Sequence, residues 1–186
     1  MRITPRHLLR RDLLRGVLAL GAGALVAGPT LATPFNDARR LSMANLHTGE
    51  TFDAAYWEAG AYVPEALAGV NHLLRDFRTG DIHPMEPGLL DLIVAIADWV
   101  GAPPKFEIIS GFRSAATNAM LHAESPQVAA HSLHMDGKAI DLRLQGVPLT
   151  AVRDAALSLA VGGVGYYPVS SFLHIDVGPS RHWFGA

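Results

Sequence analysis

The chain has 186 residues, 49% of them hydrophobic and 17% charged, with 18 glycines and 12 prolines; this mixture excludes a disordered chain or a collagen-like repeat and suits one domain. It contains no cysteine, which excludes a disulfide scaffold, a thiol nucleophile, a thiolate zinc finger, an iron–sulfur cluster and a lipid-modified cysteine. Residues 1–32 hold five of the fifteen basic residues and one of the seventeen acids, leaving 10 − 16 = −6 for residues 33–186, and with no basic run in that stretch nucleic acid is not an expected partner.

The first element in chain order reads as an export signal. Arg10-Arg11-Asp12-Leu13-Leu14-Arg15 precedes an apolar Gly/Ala-rich run, Val17 to Ala27, which Gly28-Pro29 breaks before the small residues of Thr30-Leu31-Ala32. The paired arginines resemble a twin-arginine signal. An apolar run of about eleven residues falls short of the roughly twenty that span a bilayer. Cleavage after Ala32 is therefore expected, with no stable membrane insertion afterwards, and a retained anchor is the alternative. Residues 33–186 are then expected to work in the periplasm as a single domain.

Asn36 to Glu58 reads as polar and irregular. Leu67, Val70, Leu74 and Phe77 recur at helical spacing between Pro64 and Thr79-Gly80, and a second helix is expected from Pro87 to Val100. Lys105 to Ser110 reads as a strand, Ser114 as the cap of a third helix to about Ala123, and Thr150 to Ala160 as a fourth helix. Ala139–Leu144 and Phe172–Val177 alternate cleanly. Asp141 must therefore lie opposite Ile140, Leu142 and Leu144, and His174 and Asp176 opposite Leu173, Ile175 and Val177. Gly162-Gly163-Val164-Gly165-Tyr166-Tyr167 reads as a strand whose missing side chains admit a close neighbour. With helices early and strands late, the expected class is α+β with a small, mainly antiparallel sheet.

His134 and Asp141 are seven residues apart, about 10.5 Å of rise on a helix or roughly 23 Å along a straight strand. Neither lets both hold an ion whose bonds are about 2 Å long. They converge only if the chain turns between them, and Asp136-Gly137 is a strong turn dipeptide. His174 is the third donor with the right exposure. Two imidazoles and a carboxylate would leave a fourth position open, the catalytic form of a zinc (Zn2+) site. Asp176, two residues on, is placed to take a proton from the attacking water. A half-buried structural histidine is the alternative for each imidazole. His131 reads as a solvated neighbour or an extra ligand, and His182 as either a group orienting the water or oxyanion or a surface residue. Tyr166 and Tyr167 line a groove or fill core.

The pattern Ser-x-His-x-x-Gly-x-Ala-x-Asp, here Ser132, His134, Gly137, Ala139 and Asp141, with the later His174-x-Asp176, resembles the zinc D,D-peptidases. These include D-alanyl-D-alanine dipeptidases, carboxypeptidases and murein endopeptidases, on a fold shared with the Hedgehog signalling domain. Ser110-Gly111-Phe112-Arg113-Ser114 is similar to their Ser-Gly-aromatic-Arg-Ser segment, and Phe52 to Trp183 resembles an exported murein-endopeptidase branch. The resemblance implies a Hedgehog/DD-peptidase-like fold, with His134, Asp141 and His174 as zinc ligands, Asp176 as catalytic carboxylate and Arg113 facing the scissile carbonyl or a substrate carboxylate. It implies a zinc metallopeptidase, a hydrolase of peptidoglycan acting as a monomeric murein endopeptidase. A D,D-carboxypeptidase on stem peptides and a non-catalytic zinc-containing wall-binding module are the alternatives. Murein is anionic like the mature chain, so specificity must come from the groove.

Overall fold

The computed structural model describes residues 38–125 and 127–185, and the export signal lies outside them. In chain order the elements are β1 (Arg39–Asn45), β2 (Thr51–Glu58), β3 (Ala61–Tyr62), α1 (Pro64–Leu73), α2 (Pro87–Trp99), β4 (Lys105–Ser110) and α3 (Ala115–Glu124). A 3-10 turn (Leu133–Asp136) follows, then β5 (Ala139–Leu144), α4 (Leu149–Leu159), β6 (Gly163–Tyr167), β7 (Phe172–Asp176) and β8 (Arg181–Phe184). All eight strands form one sheet in the order β3-β2-β1-β4-β5-β7-β6-β8. The β1–β4 and β6–β8 pairs are parallel and the rest antiparallel. The class is therefore α+β with a mainly antiparallel sheet, as expected.

The sheet is not small, and strands do not wait for the second half of the chain. The stretch read as irregular, 36–58, forms the β1–β2 hairpin. Leu41, Met43 and Asn45 point inward at every second position, but the third of them is polar, which hides the period. Asn45 is satisfied there: its Nδ2 donates to the Leu73 carbonyl (2.9 Å), and its Oδ1 accepts from the His47 and Thr48 N–H groups. β8 is likewise a strand that the sequence did not announce. The helix expected to reach Phe77 stops at Leu73, and Arg75 to Gly80 turns instead, pinned by Gly80 N–H to the Asp76 carbonyl (2.7 Å).

One core organises these elements. Leu89, Leu90, Ile93 and Ile96 of α2, with Val70 of α1 and Val152 of α4, pack against Ile108, Ile140, Leu142, Leu173, Ile175 and Val164 from four neighbouring strands. Side chains alternate along a strand, so Asp141, His174 and Asp176 lie on the face turned away from this core. No helix among the described residues is long and apolar enough to cross a membrane.

Candidate metal centre and active site

The site is built along one row of residues running across the sheet. Ser110, Asp141, His174, Gly165 and Trp183 are successive partners on β4, β5, β7, β6 and β8. A bulge after Ile108 brings Ser110 opposite Asp141; such an extra residue re-aims the side chain that follows it. At Gly165 the row needs an absent side chain, because a Cβ there would lie 2.7 Å from the Trp183 ring.

His134 reaches the row from outside the sheet. Ser132 Oγ accepts from the His134 N–H at the start of the 3-10 turn, and Gly137 ends the turn with φ +65°. A side chain at Gly137 is excluded twice, by that left-handed backbone and by the Pro84 carbonyl 2.2 Å from where its Cβ would sit. The reversal folds His134 back over Asp141, as the Asp136-Gly137 dipeptide led one to expect.

Three donor atoms converge. His134 Nε2, His174 Nδ1 and Asp141 Oδ1 are 3.1, 3.2 and 2.9 Å apart, and His134 and Asp141 are buried. The opposite side of each group is already occupied. His134 Nδ1 faces the Gly111 carbonyl at 2.6 Å, so it carries the proton and leaves Nε2 a lone pair. His174 Nε2 faces Asp176 Oδ2 at 3.0 Å, so the neutral ring has its lone pair on Nδ1, although the lowering effect of burial is outweighed by Asp141 and Asp176, which raise the His174 pKa while no cation is bound. Arg113 donates to Asp141 Oδ2 and from Nε to Ser110 Oγ at 2.9 Å. Two imidazole lone pairs and one carboxylate oxygen thus point at one spot, a mutual repulsion that a cation relieves. Tetrahedral donors about 2.0–2.1 Å from zinc stand about 3.3 Å apart, so the triangle fits zinc with little adjustment. Burial lowers the His134 pKa, favouring the neutral, ligating form. Burial alone would raise Asp141, but His134, His174 and Arg113 outweigh it and hold the carboxyl well below its usual range.

Two expected site residues are not on the cavity wall. Asp176 is fully buried behind His174 and is not part of the cavity wall. Its Oδ1 accepts from the Gly163 N–H (3.0 Å), the Gly178 N–H (2.8 Å) and Arg181 NH1 (3.0 Å), and its Oδ2 from Arg181 NH2 (2.6 Å). Burial acts to raise its pKa, yet His174, Arg181 and Gly178 hold it well below the ordinary carboxylate range. A group so enclosed and so firmly ionised does not suit proton exchange with a water in the cavity. His182 pairs with Val164, in register with Ile175 and Ile140, so it belongs to the other face of the sheet. Trp183 takes the position that His182 was a candidate for, 5.2 Å from the His174 ring.

Arg181, Trp183 and Tyr167 were not singled out as site groups, though Tyr167 was read as possible groove lining. Their signal is the pair of glycines on β6. Gly163 leaves the space in which Arg181 reaches Asp176, since a Cβ there would lie 2.3 Å from Asp176 Oδ2. Trp183 Nε1 donates to the Tyr167 hydroxyl at 2.9 Å. These residues, with Arg113, His131, His134 and His174, line a cavity of about 440 Å3 that opens over the three donors.

Comparisons with known proteins place the chain in a family. Residues 33–183 match the family described as peptidoglycan L,D-endopeptidase MepK. Over 154 residues the chain is 45% identical to the peptidoglycan L,D-endopeptidase MepK of Escherichia coli (strain K12), covering 83% of this chain and 84% of that protein. It is 44% identical over 148 residues to a probable peptidoglycan L,D-endopeptidase MepK of Haemophilus influenzae, covering 79% and 80%. No solved structure matches. A family match across most of the chain, spanning every residue of the convergent site, establishes that the chain belongs to the peptidoglycan L,D-endopeptidase MepK family.

Proposed function

We propose that this protein is a zinc-dependent peptidoglycan endopeptidase that hydrolyses peptide cross-links joining L- and D-centres of the wall. The observation that carries the reading is the convergence of His134, Asp141 and His174 lone pairs, each oriented from behind by a fixed partner. These three residues would hold Zn2+, which when bound supplies Lewis acidity towards a carbonyl and lowers the pKa of water.

The chain's own groups do the rest. Gly111 and Asp176 hold the imidazole protons away from the cavity and keep Nε2 of His134 and Nδ1 of His174 as donors. Arg113 fixes Asp141 through Oδ2, so a single carboxylate oxygen remains for the ion. After serving Ser110 and Asp141, the Arg113 guanidinium has N–H groups left over at the cavity wall, suited to a carbonyl oxygen gaining negative charge or to a substrate carboxylate. Asp176 is a positioning residue on this reading. His131 and Tyr167 are the remaining titratable groups, besides the arginines and the donors, on the cavity wall. The Tyr167 hydroxyl already accepts from Trp183, which leaves its own proton available to an acceptor in the cavity. The same reading makes residues 1–32 a twin-arginine leader and the periplasm the workplace, and gives the domain the fold that the zinc D,D-peptidases share with Hedgehog. One chain supplies every site residue, which suits a monomer.

Digestion of purified sacculi by the zinc-loaded mature protein tests this. Cross-linked dimers should disappear while monomeric pentapeptide persists, and His174→Ala protein should neither retain zinc nor digest. Persistence of every cross-linked species overturns the reading: shortened pentapeptide would indicate a carboxypeptidase, and binding without turnover a wall-binding module.

A further inference from the structure

The cavity over the donors does not end at Arg113. A second cavity of about 190 Å3 adjoins the first and shares Arg113, Val128, Asp141 and Phe172 with it. Its far walls are His47 from the β1–β2 turn, Phe77 and Arg78 from the turn after α1, and Leu121 of α3. His47 stacks on Phe77 with ring centroids 4.1 Å apart, and the Arg78 guanidinium lies 4.3 Å from the Phe77 ring centroid. The chamber therefore has aromatic and aliphatic walls with the Arg78 cation among them. Arg78 makes an ion pair with no carboxylate among the described residues. Every other arginine along the two chambers is engaged, Arg113 with Asp141 and Arg181 with Asp176.

Charge sharpens the point. Residues 33–186 carry a balance of −6 by the count above, yet the single carboxylate lining either chamber is Asp141, which Arg113 neutralises. An acidic body thus encloses a groove that is locally cationic, and field lines in such a cleft favour anions. At about 30 Å3 per water the slot holds roughly six waters' volume, the size of a short aliphatic arm ending in a charged group.

We propose that this slot binds a carboxylate-bearing aliphatic side arm of the cross-linked peptide, with Arg78 as charge partner and the stacked His47 and Phe77 rings as walls. Arg78 is then a specificity-determining residue set apart from the chemistry. The inference rests on the endopeptidase reading for the identity of the peptide, and its test is separable from that reading. Two cross-linked dimers are compared, identical except that one side-arm carboxyl next to the scissile bond is free in one and amidated in the other. Cleavage is measured with zinc-loaded wild type, Arg78→Gln and Arg78→Lys, and binding is measured by calorimetry on the inactive His174→Ala chain with and without Arg78→Gln.

The wild type should favour the free carboxyl by about tenfold in kcat/KM. Arg78→Gln should erase that preference through KM with kcat little changed, and Arg78→Lys should restore part of it. Calorimetry should show the same loss of discrimination without turnover. If both dimers are cut equally by wild type, or if Arg78→Gln slows both alike, the slot assignment is overturned while the endopeptidase reading stands. If neither dimer is cut but binding still discriminates through Arg78, the slot stands and the endopeptidase reading falls.

Discussion

Gly163 separates Asp176 from Arg181 in the sheet register, and its bare Cα lets the two side chains meet across β6. The resulting chain of contacts runs from Arg181 through Asp176 to His174 Nε2, and so fixes which nitrogen of His174 is free. A proton acceptor and a positioning carboxylate make different predictions here. Removing an acceptor leaves metal binding intact and stops turnover; removing a positioning partner of a ligating histidine weakens metal binding by about 10- to 100-fold. Asp176→Asn is expected to show the second pattern, read as the zinc dissociation constant from competition with a chromophoric chelator. Wild-type zinc affinity with lost activity would return Asp176 to the acceptor's role. Much of this residue-level picture was legible beforehand. A turn dipeptide and two alternating strands allowed His134, Asp141 and His174 to converge, and the family resemblance singled them out as a set. The face taken by His182 was not legible, because it depends on the parity with which β8 enters the sheet, and a shift of one residue exchanges the two faces. The burial of Asp176 was hidden too, since its enclosure depends on Arg181 arriving across a glycine.

Among the elements, α3 shows most directly how local sequence supports the site. Ser114 Oγ accepts from the Thr117 N–H (3.2 Å), and the Ser114 N–H donates to Asp76 Oδ2 (2.9 Å). The start of the helix is thus capped from one side and moored from the other, directly after Arg113. Ser114→Ala should cost about 1 kcal/mol, measured by urea unfolding, and should reduce activity more than that loss alone explains if Arg113 is displaced. The cap, the strands β4 and β5 and the stripe on α2 were all readable, because each is written in contiguous residues with a strong period. The β1–β2 hairpin was not. Its inward row is only three residues long and ends in Asn45, whose suitability for the interior comes from the Leu73 carbonyl and the turn amides rather than from hydropathy.

For the whole molecule, Asp76 links pH to stability. It is buried; that burial would raise its pKa, but hydrogen bonds from Thr117, Ser114 and Arg78 lower it to about 2, against an ordinary value of 3.8. A depressed folded-state pKa stabilises the fold above the unfolded value, and the contribution fades as pH falls from about 4 towards 2. At about 1.4 kcal/mol per pKa unit it amounts to about 2 kcal/mol. Acid titration of unfolding free energy should show wild type losing this increment below pH 4, and Asp76→Asn should be less stable at neutral pH with a flatter acid limb. Equal slopes for the two would rule out Asp76 as the linked group. The strand order carries a different consequence. β8 is the outermost strand, four residues held to β6 alone, yet it brings both the guanidinium behind Asp176 and the indole beside His174. An edge with one hydrogen-bonded neighbour opens more readily than the interior of a sheet, so each fraying of this margin withdraws Arg181 and Trp183 from behind and beside His174 while the strands that carry Asp141 and His174 stay paired. The supports of the centre are therefore tied to an edge of the sheet, and the backbone amides of Arg181 and Gly185, which donate to the Gly162 and Tyr166 carbonyls, are where hydrogen exchange would register their release.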